Sequence, residues 1–229
     1  MKGVKLVAAV LLSGTCLFAQ NHNWAGDFLV GKYLSVGSVN LNLKSLNEYI
    51  TSQGYKPLGN RPLSVELGNH IVIQQLVLES SIGGIFWKPT SLGNKQVSLL
   101  SGYAMATMGV NFALPGSNWQ VYPYFNIGGG VFRLASHDQN LQFNGSTSSK
   151  SSSYLLATFF TGTGAAILHV FYDDQNHEVF TFGVKAGVMI DPTKQSVWYS
   201  NGARYSGGPS PLFSGPYVQV VLGKGAFRK

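Results

Sequence analysis

Charged residues are scarce in this sequence of 229 residues. Asp, Glu, Lys and Arg together make up 11% of it, against 45% hydrophobic and 13% aromatic residues. A soluble domain carries roughly 25% charged residues, so this composition favours a protein whose outer surface does not meet water. The high aromatic content and the lack of a regular glycine period exclude disordered and collagen-like chains.

Long apolar runs are also lacking beyond the N-terminal segment, whereas a membrane helix needs roughly 20 consecutive apolar residues. A chain that crosses lipid without helices must form a closed β-barrel, because every backbone polar group needs a partner inside the bilayer. Composition alone leaves a second possibility open, namely a soluble exported β-barrel or sandwich that binds a ligand.

Cysteine is limited to Cys16, which lies in a segment that resembles a secretory signal. A basic start and a short apolar run precede it, provided by Lys2, Lys5 and Leu6–Leu12. We therefore expect residues 1–19 to form a signal peptide and residues 20–229 to form one barrel domain without a disulfide.

Apolar and polar residues alternate over stretches of about ten residues, which is the pattern of transmembrane strands. Eight strands are predicted, at residues 27–37, 63–73, 76–87, 96–114, 119–135, 154–172, 178–190 and 215–227. Long connections follow the odd-numbered strands and short ones the even-numbered strands. Helical spacing over residues 43–50 predicts a short helix in the first long connection. The pattern does not decide which face of the sixth strand points inward.

This strand count and loop alternation resemble the small eight-stranded outer-membrane barrels of the OmpA and OmpX type. The resemblance covers nearly the whole chain and rests on architecture, not on a diagnostic motif. It implies an all-β, antiparallel, up-and-down transmembrane barrel in the cell outer membrane. The helical spacing of residues 43–50 adds a short helix in the first external loop.

Aromatic residues near the predicted strand ends indicate girdles at the two membrane interfaces, where amphipathic rings are favoured. The predicted periplasmic girdle comprises Trp24, Trp119, Phe171, Tyr172, Phe180 and Phe227. The predicted outer girdle comprises Phe86, Trp87, Phe132 and Tyr154.

Four ionisable residues fall on the polar faces of the predicted strands, namely Glu66, His70, Glu79 and Lys185. Charges inside a narrow barrel must be paired, because isolated burial of a charge is costly. We therefore expect Lys185 to pair with Glu66 or Glu79 in a structural network of the lumen.

Catalysis is disfavoured by the spacing of the candidate residues. Ser64, Glu66 and His70 share one face of a strand, but the strand rise separates Ser64 from His70 by about 20 Å. The histidines show no metal-ligand spacing, and no glycine-rich segment is placed for phosphate binding. We predict no catalytic residue, no metal and no cofactor.

The external loops carry eight of the sixteen basic residues, namely Lys44, Lys56, Arg61, Lys88, Lys95, Lys150, Lys194 and Arg204. They can pair with phosphates of anionic outer-leaflet lipid, or form an ordinary solvated surface. Because they form no run, nucleic acid is not an expected partner. In the last loop, Trp198, Tyr199 and Tyr205 either form an adhesive patch or pack over the barrel mouth.

The expected role is therefore structural, surface-interacting or adhesin-like, with outer-membrane lipid as the surrounding partner. The sequence names no partner protein. A narrow conduit for small molecules is the alternative, since eight strands enclose an interior just wide enough for side chains to fill.

Overall fold

The computed structural model describes residues 28–112, 117–137, 151–173, 178–193 and 196–228, which form strands and one helix. In chain order these elements are β1 Phe28–Val39, α1 Lys44–Ser52, β2 Leu63–Ile73, β3 Leu76–Phe86, β4 Thr90–Leu92, β5 Lys95–Val110, β6 Trp119–His137, β7 Ser151–Asp173, β8 Glu178–Ile190, β9 Trp198–Ser200, β10 Ala203–Tyr205 and β11 Gly215–Arg228. The strands other than β4, β9 and β10 form a barrel of eight.

Each barrel strand pairs antiparallel with its neighbours along the chain, and β1 closes the sheet by pairing with β11. The predicted eight-stranded up-and-down barrel is confirmed. Paired residues followed around the barrel from Leu29 lead back to β1 at Val39, ten residues further along. A shift of this size over eight strands inclines them by roughly 40–45° to the barrel axis.

The predicted strand boundaries agree with the observed ones within three residues, except at the end of the fourth predicted strand. That strand, β5, ends at Val110 and not at residue 114. Beyond it, the amide of Asn111 donates to the carbonyl of Gln75, and that of Phe112 donates to the carbonyl of Val121. The predicted helix is present as α1, with Leu46 and Ile50 fully buried.

The barrel has a largely apolar outer surface. Alternate residues of each strand point away from the lumen, and most of these outward residues are apolar. Outward apolar side chains are widely exposed, from 36% for Leu34 to 66% for Ile82. In β7, whose facing the sequence left open, even-numbered residues such as Phe160 point inward and odd-numbered residues such as Phe159 point outward.

The aromatic girdles differ from the prediction at the outer end. Phe86 is exposed there, but Trp87, Phe132 and Tyr154 are buried, so the prediction was wrong for these three. They occupy inward positions and fill the barrel mouth. At the periplasmic end the exposed rings are those of Trp119, Phe171 and Phe180. The remaining predicted members, Trp24, Tyr172 and Phe227, have side chains outside the described part.

Two of the three longest strands, β5 and β7, adjoin short strands that the sequence did not predict. The loop between β3 and β5 contains β4, which pairs with the start of β5. The last long loop contains the β9–β10 hairpin, which joins β7 where Leu155 pairs with Tyr199. A further bridge between Asn42 and Leu212 joins the first and last long loops. The hydroxyl of Thr90, in the second long loop, also donates to the carbonyl of Lys56 in the first. These contacts connect the described parts of the first, second and last external loops, which we call the cap.

The predicted signal peptide, residues 1–19, lies outside the described residues, as do Lys150 and Lys194. The division of the chain at residue 19 therefore stays a prediction. In the described part of the chain, no helix combines the length and the apolar character needed to cross a membrane.

Candidate functional site: a buried lumen network and a basic outer rim

The lumen contains an ion pair between opposite walls of the barrel. The Nζ atom of Lys185, on β8, donates to Oε2 of Glu79, on β3, over 2.7 Å. The two strands lie four positions apart in the eight-membered ring, so the lysine spans the lumen. Both side chains are almost inaccessible, at 5% and 2% exposure. The sequence allowed either Glu66 or Glu79 as the partner of Lys185, and in the structure the partner is Glu79.

Glu79 has two further polar neighbours, Tyr122 and His70. Its Oε1 atom accepts from the hydroxyl of Tyr122 over 2.9 Å and lies 2.8 Å from Nδ1 of His70. The other ring nitrogen of His70 lies 3.2 Å from the side-chain oxygen of Gln120. Paired and hydrogen-bonded in this way, the carboxylate meets the conditions under which a buried charge is tolerated.

Glu66 lies beside this cluster with different partners. Its two carboxylate oxygens accept hydrogen bonds from the hydroxyls of Tyr33, over 2.7 Å, and Tyr103, over 2.9 Å. The Nζ atom of Lys185 lies over the ring of Tyr33, 4.1 Å from its centroid, so this tyrosine connects the two carboxylates. The four predicted lumen residues therefore lie in one network with tyrosines that the sequence analysis did not single out.

Each of these tyrosines faces a glycine on a neighbouring strand. Tyr33 pairs with Gly68, and Tyr103 with Gly83. A Cβ atom on either glycine would lie within 2.5 Å of the ring opposite, so the missing side chain makes room for the ring. The same arrangement recurs at Tyr124 with Gly164 and at Tyr217 with Gly187. The sequence shows that tyrosines and glycines occupy inward positions of the strands. Only the strand register shows which tyrosine lies opposite which glycine.

Stacked aromatic rings occupy the lumen above the charged network. The ring of Phe213, from the last loop, lies 4.6 Å from that of Phe132 and 4.9 Å from that of Phe160, measured between centroids. All three side chains are fully buried. Next to them, the buried carboxylate of Asp191 accepts hydrogen bonds from Thr158 and Thr193. The outer half of the barrel is thus packed with side chains.

Ser64 and His70 do not form a nucleophile–base pair. The hydroxyl oxygen of Ser64 accepts a hydrogen bond from Gln219 over 3.1 Å, whereas His70 contacts Glu79 and Gln120. Among the described residues, no group of three or more His, Cys, Asp or Glu side chains is arranged to hold a metal ion. These polar side chains form ion pairs and hydrogen bonds with one another, and such contacts hold the side chains of the lumen in fixed positions.

The predicted loop residues have different environments. Lys88, Tyr199 and Arg204 are exposed. Trp198 is fully buried, and its indole nitrogen donates to the carbonyl of Pro209 over 2.8 Å, so it packs within the cap and not in an exposed patch. Lys95 donates to the carbonyl of Gln53 over 2.9 Å and therefore ties β5 to the first loop.

The outer rim of the barrel is basic. The exposed basic residues of the described external segments are Lys44, Lys56, Arg61, Lys88, Arg133 and Arg204. In the same segments Glu48 is the exposed acidic residue, since Asp191 is buried. We refer to these six basic side chains as the basic rim.

No family model and no curated protein matches the chain. Among solved structures, a major outer membrane protein from Thermus thermophilus has a TM-score of 0.50 and 11% identity, over 87% of this chain and 99% of that one. The fold is that of a small outer-membrane β-barrel. Closed barrels with an apolar outer belt are the β structures that cross membranes, which places this one in the outer membrane.

Two further solved structures are similar at lower scores. Ail, the attachment invasion locus protein of Yersinia pestis, has a TM-score of 0.44 and 13% identity, over 89% of this chain and 99% of that one. Neisserial surface protein A has a TM-score of 0.39 and 12% identity, over 87% and 96% of the two chains.

Proposed function

We propose that this protein is a non-catalytic surface-interaction barrel, whose basic rim binds the phosphates of anionic lipid in the outer leaflet. The observation that carries the proposal is the charge imbalance of the rim, with six exposed basic residues and one exposed acidic residue in the described external segments. Phosphates are strong acceptors for lysine and arginine, and basic clusters next to a membrane attract anionic head groups.

The cap supports this role because it fixes the loops that carry the basic residues. The hydroxyl of Thr90 donates to the carbonyl of Lys56 over 2.9 Å, and the amide of Ser210 donates to the hydroxyl of Ser45 over 3.4 Å. These contacts join the first loop to the second and to the last. Fixed positions lower the conformational entropy that binding costs, so a connected cap favours an interaction surface.

The packed lumen favours an interaction role over a conduit. The Lys185–Glu79 pair crosses the lumen, and the rings of Phe132, Phe160 and Phe213 fill it further out. Liposomes that contain the purified protein are therefore expected to swell no faster in arabinose than empty liposomes. Swelling that depends on the protein would favour the conduit instead.

The binding proposal is tested with a variant that changes the six basic-rim residues to Gln. Thermal stability of the detergent-solubilised protein is measured against increasing lipid A, either bis-phosphorylated or dephosphorylated. The wild type is expected to be stabilised by the phosphorylated form, and the variant to need at least a tenfold higher concentration. Stabilisation should also weaken with salt, because exposed charges are screened.

A matched control changes Lys224 to Gln at the opposite end of the barrel, where its ammonium pairs with Glu178 over 2.9 Å. This control should bind phosphorylated lipid A like the wild type. Equal binding of the two lipid A forms by the wild type, or unchanged binding by the six-residue variant, would refute the proposal.

A further inference from the structure

A row of polar side chains interrupts the apolar belt on one wall of the barrel. Lys32 of β1, Asn69 of β2 and Ser80 of β3 are aligned as direct pairing partners, and all three are exposed on the outer surface. Apolar residues lie on both sides of the row, with Val30 and Ile71 toward the periplasmic end and Leu34 and Leu67 toward the outer end. Polar groups that face hydrocarbon are costly, so these positions need a polar partner.

Lys32 differs in this respect from the neighbouring lysine. Lys224, its pairing partner on β11, has its ammonium 2.9 Å from the carboxylate of Glu178. Within the described ranges, no carboxylate lies within ion-pair distance of Lys32. Asn69 donates only a long hydrogen bond, 3.4 Å, to the hydroxyl of Ser80. The row therefore presents one uncompensated cation and two hydrogen-bonding groups to the bilayer.

The line of pairing partners that contains these polar residues continues toward the outer end of the barrel, along a groove in the lipid-facing wall. Beyond Ser80 its next partners are Ala106 of β5 and then Ile127 of β6. The groove has a volume of about 680 Å³, with small side chains such as Ala104 and Ala106 between the more prominent Leu67, Ile82 and Ile127. The groove therefore has a polar part, formed by Lys32, Asn69 and Ser80, and an apolar part that begins at Ala106.

The tilt of the strands gives this groove a direction. Each step from a residue to its pairing partner on the next strand moves closer to the outer end of the barrel. This follows because the path of paired residues around the barrel returns to β1 ten residues nearer that end. With a tilt of roughly 40–45° and strands about 4.8 Å apart, the four steps from Lys32 to Ile127 rise about 13 Å. Half of a hydrocarbon core of about 30 Å is about 15 Å, so the groove spans one leaflet.

The polar end of the groove lies at the periplasmic side. Lys32 is four residues from the start of β1, and Asn69 is four residues from the end of β2. A lysine at this depth extends its ammonium to the head-group level, as basic side chains near a membrane interface do. The apolar part of the groove then runs toward the centre of the bilayer, in the direction of an acyl chain.

We propose that this groove is a binding site for one phospholipid of the periplasmic leaflet. The lipid phosphate accepts hydrogen bonds from Lys32 and from the side-chain amide of Asn69, and one acyl chain lies along Ala106 toward Ile127. The site lies on the lipid-facing wall and does not depend on the basic rim, so either proposal can fail without the other.

Native mass spectrometry of the full barrel in detergent, titrated with phosphatidylglycerol, tests the site. The wild type is expected to retain one lipid. Lys32→Met should weaken retention at least tenfold, and Lys32→Arg should restore it because the charge returns. Diacylglycerol, which has no phosphate, should bind the wild type as weakly as phosphatidylglycerol binds the Met variant. Equal retention by the wild type and by Lys32→Met would overturn the proposal.

The apolar part is tested by filling the groove. Ala106→Phe should also weaken retention of phosphatidylglycerol, whereas Ala186→Phe should not, because Ala186 is an exposed alanine on β8, four strands from β3. Both variants should show the gel mobility of the folded barrel. Equal effects of the two variants would overturn the proposal.

The competing occupant of this wall is a second copy of the chain. Cys16 lies in the predicted signal peptide, so Ala106→Cys adds a cysteine to a mature chain otherwise expected to have none. Efficient oxidative cross-linking of this variant in membranes, with no bound lipid in the spectrum, would assign the wall to a dimer and refute the lipid site. A monomer that retains lipid supports it.

Discussion

Replacing Lys185 with Met should destabilise the barrel strongly. The substitution keeps a long apolar side chain in the lumen but removes the ammonium 2.7 Å from Glu79. His70 and Tyr122 remain as hydrogen-bonding neighbours of a carboxylate that is 2% exposed. Removing one partner of a buried ion pair typically costs about 3–5 kcal/mol, because the remaining charge is left uncompensated.

The double variant Lys185→Met with Glu79→Gln separates lost charge pairing from altered packing. It removes both charges while keeping similar shapes, and replacing a whole buried pair is often close to neutral. The double variant should therefore recover most of the stability lost in Lys185→Met. The resulting coupling free energy between the two positions should be about 2 kcal/mol or more.

The free energy of unfolding is measured by urea titration in lipid vesicles, with the mobility of unheated samples on a gel reporting the folded barrel. Lys88→Met, at the exposed rim, is the control. In vesicles of zwitterionic lipid, which offer no anionic lipid to the basic rim, it should change stability by no more than about 0.5 kcal/mol. If Lys185→Met is as stable as this control, or if the double variant is no more stable than Lys185→Met, the ion pair does not stabilise the barrel as argued.

Two further predictions concern the lumen and the cap. Gly83→Ala should cost about 1–3 kcal/mol by urea titration, because its Cβ would lie 2.4 Å from the ring of Tyr103, while Gly102→Ala, with no neighbour closer than 3.9 Å, should be nearly neutral. Equal effects of the two alanines would contradict the ring–glycine packing. Trp198→Ala should make the last loop more sensitive to brief proteolysis, because a fully buried ring is lost, whereas Tyr199→Ala, at 47% exposure, should not. Similar digestion of both variants would refute a packing role for Trp198.

The strands were predictable because their pattern depends on local geometry. Successive side chains of a strand point to opposite faces, so a strand with lipid outside and a polar lumen alternates in sequence. The alternation over residues 178–190 matches β8 at both ends. The outer end was less predictable. There, Phe132 and Tyr154 occupy inward positions covered by loop residues, and aromatic character alone does not show which way a ring points.

The network of the lumen required the strand register. Glu66 and Glu79 were equivalent partners for Lys185 in the sequence, since both lie on inward positions. The closed sheet puts β3 opposite β8, while Tyr33 and Tyr103 bind Glu66 from β1 and β5. Each tyrosine reaches its carboxylate because it lies over a glycine on an adjacent strand, a match between distant segments that no local pattern contains.

By itself, the sequence determined the class of fold and the number of barrel strands, because both follow from the alternation of side chains along each strand. The tertiary structure decided which charges pair, that Trp198 is buried within the cap, and that Lys32, Asn69 and Ser80 form one row on the outer wall. The physical reason is that strand register and closure, set by backbone hydrogen bonds around the whole barrel, bring together residues far apart in the chain.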